Sequence, residues 1–438
     1  MPRFGLSILA TLCAGLAAGQ QHLAPAERQL NIESFEHIWK TVLDHYWDPK
    51  MGGLDWQAVH DELRPRIEAA ATMDQARQAM SSMLERLHQT HFGLIPGDVY
   101  EELGSPGESH GGSLSGNPGI DARVLEGHAV VTAVEPASPA AAHGVQAGWE
   151  IVRVSGKELA PVLAGIRAQY RDSTLLDARL ARSVLGRLRG RSGSTVQVDF
   201  RDGRDKTVAL ALERVEPRGR IAGLGNFAGD YFWAEWRKVR PDVACVRFNL
   251  FMEPETLAST FEGAVKGCPD CRGFVIDLRG NPGGIGGLAM GVAGWFIDQP
   301  GLQLGTEYLR GATLKFVVFP RPRTFLGPLA VLVDGCSAST AEIFAGGLKD
   351  VGRARIFGTR TAGAALPSII ERLPNGDGFQ YAIANYISQG GQPLEGIGVT
   401  PDEEVRPTRR QLLAGQDAVL DAAIDWIRKT SRNTKAVK

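Results

Sequence analysis

The sequence predicts an α/β protein of several domains, and three patterns carry that reading. From about residue 242, apolar strands alternate with helices; residues 31–89 repeat apolar side chains at helical spacing; residues 115–213 hold short strands and a turn-bounded hairpin. A chain of 438 residues exceeds one ordinary hydrophobic core and calls for about two to four domains.

The first element is a helical module, assigned to residues 20–103. Phe35, Ile38, Val42 and Leu43 recur at helical spacing, then Trp56, Val59, Leu63 and Ile67, then Ala76, Met80, Met83, Leu84 and Leu87. Asp55 caps the second helix, and the third begins near Thr72 and Asp74. A Gly- and Ser-rich linker over 104–119 leads to a strand-rich module, assigned to 115–213. Its strands are 130–134, 151–154, 196–200 and 208–212, the last two bracketing Asp202-Gly203. About thirty residues of helical character, 160–188, interrupt it.

The third domain, assigned to 220–430, reads strand 243–248, helix 254–265, strand 273–278, helix 288–296, strand 329–333, helix 340–349 and strand 354–357. Strands apolar on both faces belong to a covered, mostly parallel sheet. Ligands of such sheets sit at the carboxyl ends of the strands.

Composition narrows the function classes. Lys and Arg number 48 against 49 Asp and Glu, with no long run of either sign, so a nucleic-acid partner lacks the basic stripe it needs. The basic tail with Arg428, Lys429, Arg432, Lys435 and Lys438 reads as a solvated, fraying terminus. Residues 1–19 pair Arg3 with an apolar stretch and small residues, the pattern of a secretory signal cleaved after Gly19. The expected destination is the periplasm or the exterior, with no membrane span in the mature chain. Cys268 and Cys271 are read as a local disulfide or two unpaired thiols. Neither a metal nor a cofactor is expected: there is no HExxH, no ligand set of zinc spacing and no GxxxxGK[ST] loop.

Two turns carry the chemistry. In 331–342, VLVDGCSASTAE, a strand runs through a glycine turn and two serines into a helix. A serine there has its hydroxyl beyond the strand end, beside unpaired helix amides that stabilise negative charge. The same position suits an N-cap, and Glu342 could close a capping box with Ser339. In 277–284, DLRGNPGG, glycines let backbone amides approach a ligand, as a second wall of an oxyanion pocket. All nine histidines lie at or before His143, so an imidazole base must come from the N-terminal third, and His91, at the end of the third helix, is the best placed. The turn-rich segment 391–402 brings Glu395 or Asp402 toward a cleft to orient that base.

These residues resemble the S41 serine peptidases, the tricorn-core and C-terminal processing peptidase family. FVIDLRGNPGG at 274–284, VLVDGCSASTAEIFAGGLKDVGRARIFGTRTAGAA at 331–365 and EGIGVTPDEEV at 395–405 carry the resemblance, with HYWDP at 45–49 and LDW at 54–56. It implies a catalytic domain like the crotonase and Clp-protease folds and a peptide or protein as substrate. SASTAE aligned with the nucleophile segment places the catalytic serine at Ser339. The processing peptidases pair serine with lysine, but Ala364 stands at the lysine position and Ser368 at that of a supporting glutamine. The tricorn-like subgroup instead implies Ser339, His91 as base, Thr90 in place of a serine beside it, and Glu395. The amides of Thr340 and of Gly283 or Gly284 are the implied oxyanion donors. Residues 115–213 resemble a PDZ domain through 130–156, with Trp149 where aspartate is more usual; such a module captures peptide ends or shields the cleft. The competing expectation is a noncatalytic peptide- or hydrophobe-binding protein on the same scaffold. The sequence assigns no oligomeric state.

Overall fold

The computed structural model describes residues 22–97, 100, 116–224 and 227–436. The signal segment at 1–19 and most of the 104–119 linker lie outside the described residues.

Three helices, Pro25–His45, Trp56–Glu68 and Met73–Glu85, form where the apolar periodicity places them. Asp55 accepts the Ala58 N–H at 2.9 Å and Thr72 accepts that of Gln75 at 3.3 Å, so each of the last two begins on a side-chain cap. Phe35, Ile38, Val42, Trp56, Leu63, Ile67, Met80 and Met83 are buried together. Leu43 departs from the expected pattern: it lies off that face and is exposed. The helical core is completed from far along the chain, by Leu373, Phe379 and Tyr381. Phe379 and Tyr381 sit on the strand Gly378–Ala382, which pairs with Gly93–Ile95 on one side and Ser368–Arg372 on the other.

The strand-rich module is a five-strand antiparallel path, Ile120–Leu125, His128–Val134, Glu150–Val154, Thr195–Arg201 and Thr207–Glu213, in that spatial order. The expected hairpin forms, although its turn runs over five residues, 202–206. The interrupting stretch is two helices, Leu159–Gln169 and Leu176–Leu188. Trp149 stacks edge-on against Phe200, which is fully buried in the core of this sheet.

The largest core belongs to a six-strand sheet in the order Ala234–Arg240, Val243–Phe248, Gly273–Asp277, Leu329–Val333, Arg355–Gly358 and Glu403–Glu404. The first pair is antiparallel and the other four pairs are parallel. Side chains alternate between its two faces, as the two-residue period of a strand requires. Ala244, Val246 and Phe248 meet Leu257, Phe261 and Phe344, whereas Val243 and Cys245 meet Val419, Ile424 and Ile427. Those last three residues belong to the helix Ala418–Ala436. Arg428 and Lys429 therefore stand on a packed helix rather than on a fraying tail, and Arg428 pairs with Asp242 at 3.5 Å. Cys268 and Cys271 form a disulfide after the helix Pro254–Gly267.

Candidate active site

The parallel strands Gly273–Asp277 and Leu329–Val333 end side by side, and each runs into a turn. Asp334 binds both turns: one carboxylate oxygen accepts the Gly280 and Cys336 amides at 2.9 and 3.0 Å, and the other accepts Arg123 Nε at 2.8 Å. The Arg123 guanidinium helps hold the Asp334 carboxyl below the usual range against the opposing effect of burial. Ser337 is fully buried, donating its hydroxyl to the Leu278 carbonyl at 2.7 Å and accepting the Asp334 N–H at 3.0 Å. Ser337 thus ties the turns together. Ser339 is half-buried.

Ser339 takes φ +54° and ψ −122° at the start of the helix Thr340–Asp350. A positive φ on a non-glycine residue costs roughly 1–3 kcal/mol and persists only where its surroundings impose it. Here the imposing groups are identifiable. The Ser339 N–H donates to the Ala364 carbonyl at 2.7 Å and faces Glu342 Oε2 at 3.1 Å. The Glu342 N–H is satisfied by the Ser339 carbonyl at 2.8 Å and not by the Ser339 hydroxyl, so the expected capping box is bonded through its Glu342 half, the Ser339 N–H to Glu342 Oε2. The hydroxyl is left for other work.

Gly283 is pressed against this turn. At φ +102°, a Cβ on it would stand 2.6 Å from Ser339 Cβ and 2.9 Å from the Thr340 nitrogen, so only glycine fits. Its own N–H, however, donates to Asn281 Oδ1 at 2.9 Å and is not available for an oxyanion. Of the three expected donors, the amides of Thr340 and Gly284 have no acceptor among the described residues. For Thr340 this is the normal state of a first-turn helical amide.

His91 lies between the third helix and the strand Gly93–Ile95, at φ +60°. Its Nδ1 is 2.7 Å from Thr90 Oγ1, and that hydroxyl donates to Glu395 Oε2 at 2.9 Å. The Thr90 N–H donates to Glu395 Oε1 at 2.7 Å. A hydroxyl has one proton. If Thr90 spends it on the carboxylate, His91 must carry its own proton on Nδ1, and Nε2 keeps its lone pair. Neither His91 Nε2 nor Ser339 Oγ bonds to another described residue. Part of the imidazole surface is open, yet the atoms packed around it exclude most water, and burial pushes its pKa down to about 4. Burial also raises the Glu395 carboxyl, opposed by its three donors: the Thr90 amide, the Thr90 hydroxyl and the Ala365 amide.

The two halves meet on consecutive residues. Ala364 accepts the Ser339 N–H, and the Ala365 N–H donates to Glu395 Oε2 at 3.1 Å. Glu342, read from sequence only as a capping partner, organises this junction from a fully buried position. Its carboxylate accepts the Thr361 hydroxyl at 2.5 Å and the Gly363, Ala364 and Ser339 amides at 2.8, 2.9 and 3.1 Å. Burial pushes its pKa up to about 7 against these bonds. Four donors on one acid three residues after a serine could not be foreseen from spacing.

Asp402, the other carboxylate weighed from sequence, accepts the Ile356 N–H at 2.8 Å and pairs with Lys349 at 3.2 Å, a strand-end role. His88 is exposed. Ala364 stands beside Ser339 with only a methyl group, and Ser368 accepts from Gln380 at 2.9 Å. No group of three or more His, Cys, Asp or Glu able to hold a metal occurs among the described residues.

Residues 242–405 match Peptidase family S41, and residues 28–85 match the Tricorn protease C1 domain. The chain is 27% identical over 376 residues to carboxyl-terminal-processing peptidase 3, chloroplastic, of Arabidopsis thaliana, covering 83% of this chain and 67% of that protein. It is 26% identical over 433 residues to a carboxyl-terminal-processing protease of Picosynechococcus, covering 95% of each. Among solved structures, a photosystem II D1 C-terminal processing protease superposes with a TM-score of 0.57 at 22% identity, over 90% of this chain and 99% of that one. That last likeness speaks for the fold.

Proposed function

We propose, for a chain that belongs to peptidase family S41 and is a serine peptidase, that it hydrolyses peptide bonds of exported or envelope-associated polypeptides through an acyl-enzyme on Ser339, with His91 as general base. The observation that carries this assignment is the Thr90 hydroxyl set between His91 Nδ1 and Glu395, on a carboxylate anchored one residue from the group that holds Ser339.

In this scheme His91 Nε2 takes the Ser339 proton as Oγ attacks the scissile carbonyl carbon. Electrons move onto the carbonyl oxygen, where the Thr340 and Gly284 amides receive the charge, an effect worth roughly 3–4 kcal/mol for one such donor in a known case. The imidazolium then gives its proton to the leaving amine nitrogen, the C–N bond breaks, and an ester on Ser339 remains. Water attacks that ester, surrendering a proton to His91, which returns it to Ser339 as the acid product leaves. Thr90 transmits the negative charge of Glu395 to the imidazolium while that charge exists. This is the tricorn-like arrangement; with a methyl group at Ala364, the Ser-Lys arrangement has no amine to work with.

The signal segment at 1–19 directs the chain to the periplasm or the exterior in this reading, and no helix among the described residues is long and apolar enough to cross a membrane. The PDZ-like module acts as a wall of the cleft. Arg123 reaches Asp334, and Asp177 abuts Gly335, so the module rests on the nucleophile turn itself.

Replacing Ser339 or His91 with alanine should abolish peptide turnover in a protein of unchanged circular dichroism. Comparable turnover in either folded variant removes that residue from the scheme. A fluorophosphonate that labels nothing, beside stoichiometric peptide binding, would instead favour a noncatalytic binding protein.

A further inference from the structure

The residues that hold the nucleophile continue directly into an open sheet edge. After Ala364 and Ala365 the chain passes through buried Leu366 into the strand Ser368–Arg372. Among the described residues this strand is the outermost of its three-strand sheet and pairs as a strand only with Gly378–Ala382.

The register says which backbone groups face outward. The pairing is antiparallel, with Ile369 opposite Tyr381 and Glu371 opposite Phe379. At one end the Ile383 N–H donates to the Pro367 carbonyl at 2.9 Å, and at the other the Leu373 N–H donates to the Asp377 carbonyl at 2.8 Å. In an antiparallel pair the residues that bond across the pair recur every second position. Residues 367, 369, 371 and 373 therefore turn their backbone groups toward Gly378–Ala382. Ser368 and Ile370 turn theirs the other way, and neither has a backbone partner on that side among the described residues. Both are half-buried, so the edge is accessible.

Reach fits a substrate. Ser368 lies four residues beyond Ala364, at most about 14 Å along an extended chain. A peptide whose scissile carbonyl stands over Ser339 covers that distance with about four of its own residues.

We infer that the edge of Ser368–Arg372 receives the substrate as an added strand, with the backbone N–H and C=O groups of Ser368 and Ile370 as its docking points. The inference rests on Ser339 being the nucleophile. It defines the substrate class as chain segments free to extend for several residues beside the cleaved bond, such as unfolded termini, and excludes helical or tightly looped segments. Main-chain pairing of this kind supplies affinity without reading side chains.

The test uses wild-type enzyme and a cleaved peptide carrying single N-methyl groups at successive positions on both sides of the scissile bond. Within three to six residues of that bond, two positions spaced two apart should each lower kcat/KM roughly five- to tenfold, mainly through KM, as loss of one hydrogen bond predicts. The position between them should lose little. Uniform losses, or none, overturn the inference. As a second measurement, Ile370→Pro removes one outward N–H at an edge position where proline is tolerated, and should raise KM roughly five- to tenfold. A folded I370P enzyme with unchanged KM also overturns it; if I370P does not fold, the methyl scan decides alone. Failure of the parent assignment looks different: the unmethylated peptide is not cleaved and Ser339 takes no fluorophosphonate.

Discussion

Replacing Thr90 with valine isolates the connection between base and carboxylate. Valine keeps the branched shape and deletes one oxygen, which makes two contacts: 2.7 Å to His91 Nδ1 and 2.9 Å to Glu395 Oε2. The His91 Nδ1–H then loses its acceptor, and Glu395 keeps only the Thr90 and Ala365 amides, at 2.7 and 3.1 Å. Hydrogen bonds to charged groups contribute about 1.5–3 kcal/mol each. The Thr90 bonds strengthen only when the imidazolium forms, so about 2–4 kcal/mol of transition-state stabilisation should vanish, roughly 30- to 1,000-fold in kcat. KM should change little, because Thr90 faces the base and not the substrate. Thr90→Ser keeps the hydroxyl and should stay within about threefold of wild type, since no bonding group is lost. Steady-state kinetics on a fluorogenic peptide, with near-ultraviolet circular dichroism to establish folding, measures all of this. A folded Thr90→Val enzyme with kcat within about threefold of wild type, below the loss of a single such bond, would refute the relay.

Other outcomes follow from the same geometry. Gly283→Ala forces a Cβ to 2.6 Å from Ser339 Cβ at φ +102°; a shift of about 1 Å in the nucleophile should lower kcat by about 100-fold, with fluorophosphonate labelling falling in parallel. Ionised Glu342 is the form that accepts four donors, so acidification through about 7 should lower kcat/KM in the wild type. In Glu342→Gln that limb should move down to the one set by His91, near 4, as a pH series of kcat/KM will show. For stability the two groups act in opposite senses. Raising the folded Glu342 carboxyl gives stability that is present at low pH and lost as pH rises toward 7. Lowering His91 to about 4 makes the unfolded chain bind more protons between there and its ordinary value, so that stability rises with pH. Glu342→Gln should therefore steepen the rise of the melting temperature between about pH 4 and 6.5, the ordinary value for histidine. Ile427→Ala empties a fully buried site under the central sheet and should cost about 2–5 kcal/mol in urea unfolding while leaving kcat in native buffer unchanged.

What the sequence made legible was local. Phe35, Ile38 and Val42 share a helical face because three- and four-residue spacings put them there, and Val243–Phe248 reads as a covered strand because both of its faces are apolar. The placement of Ser339 at a strand-to-helix junction is likewise a property of twelve consecutive residues. Three features were hidden for physical reasons. The strands Gln303–Leu309 and Ala312–Val317 expose much of their surface, so their apolar signal is weak. The basic residues of Ala418–Ala436 mask an apolar stripe through Val419, Ala423, Ile424 and Ile427 that anchors the helix. The partners of Glu342 and of the Gly283 amide are set by how turns pack against one another. Thr90 and Glu395 are 305 positions apart, and no local periodicity reports a hydrogen bond over that separation; only the resemblance of whole motifs brought them together in advance.

The most direct measurement is the second-order rate of fluorophosphonate labelling, with the modified residue mapped by mass spectrometry, in wild type and in His91→Ala. Label on Ser339 in the wild type, with a rate at least about 100-fold lower in the folded variant, is the result expected of a general base. Equal rates in the two proteins, or label on Ser337 in place of Ser339, would contradict the assignment of base and nucleophile.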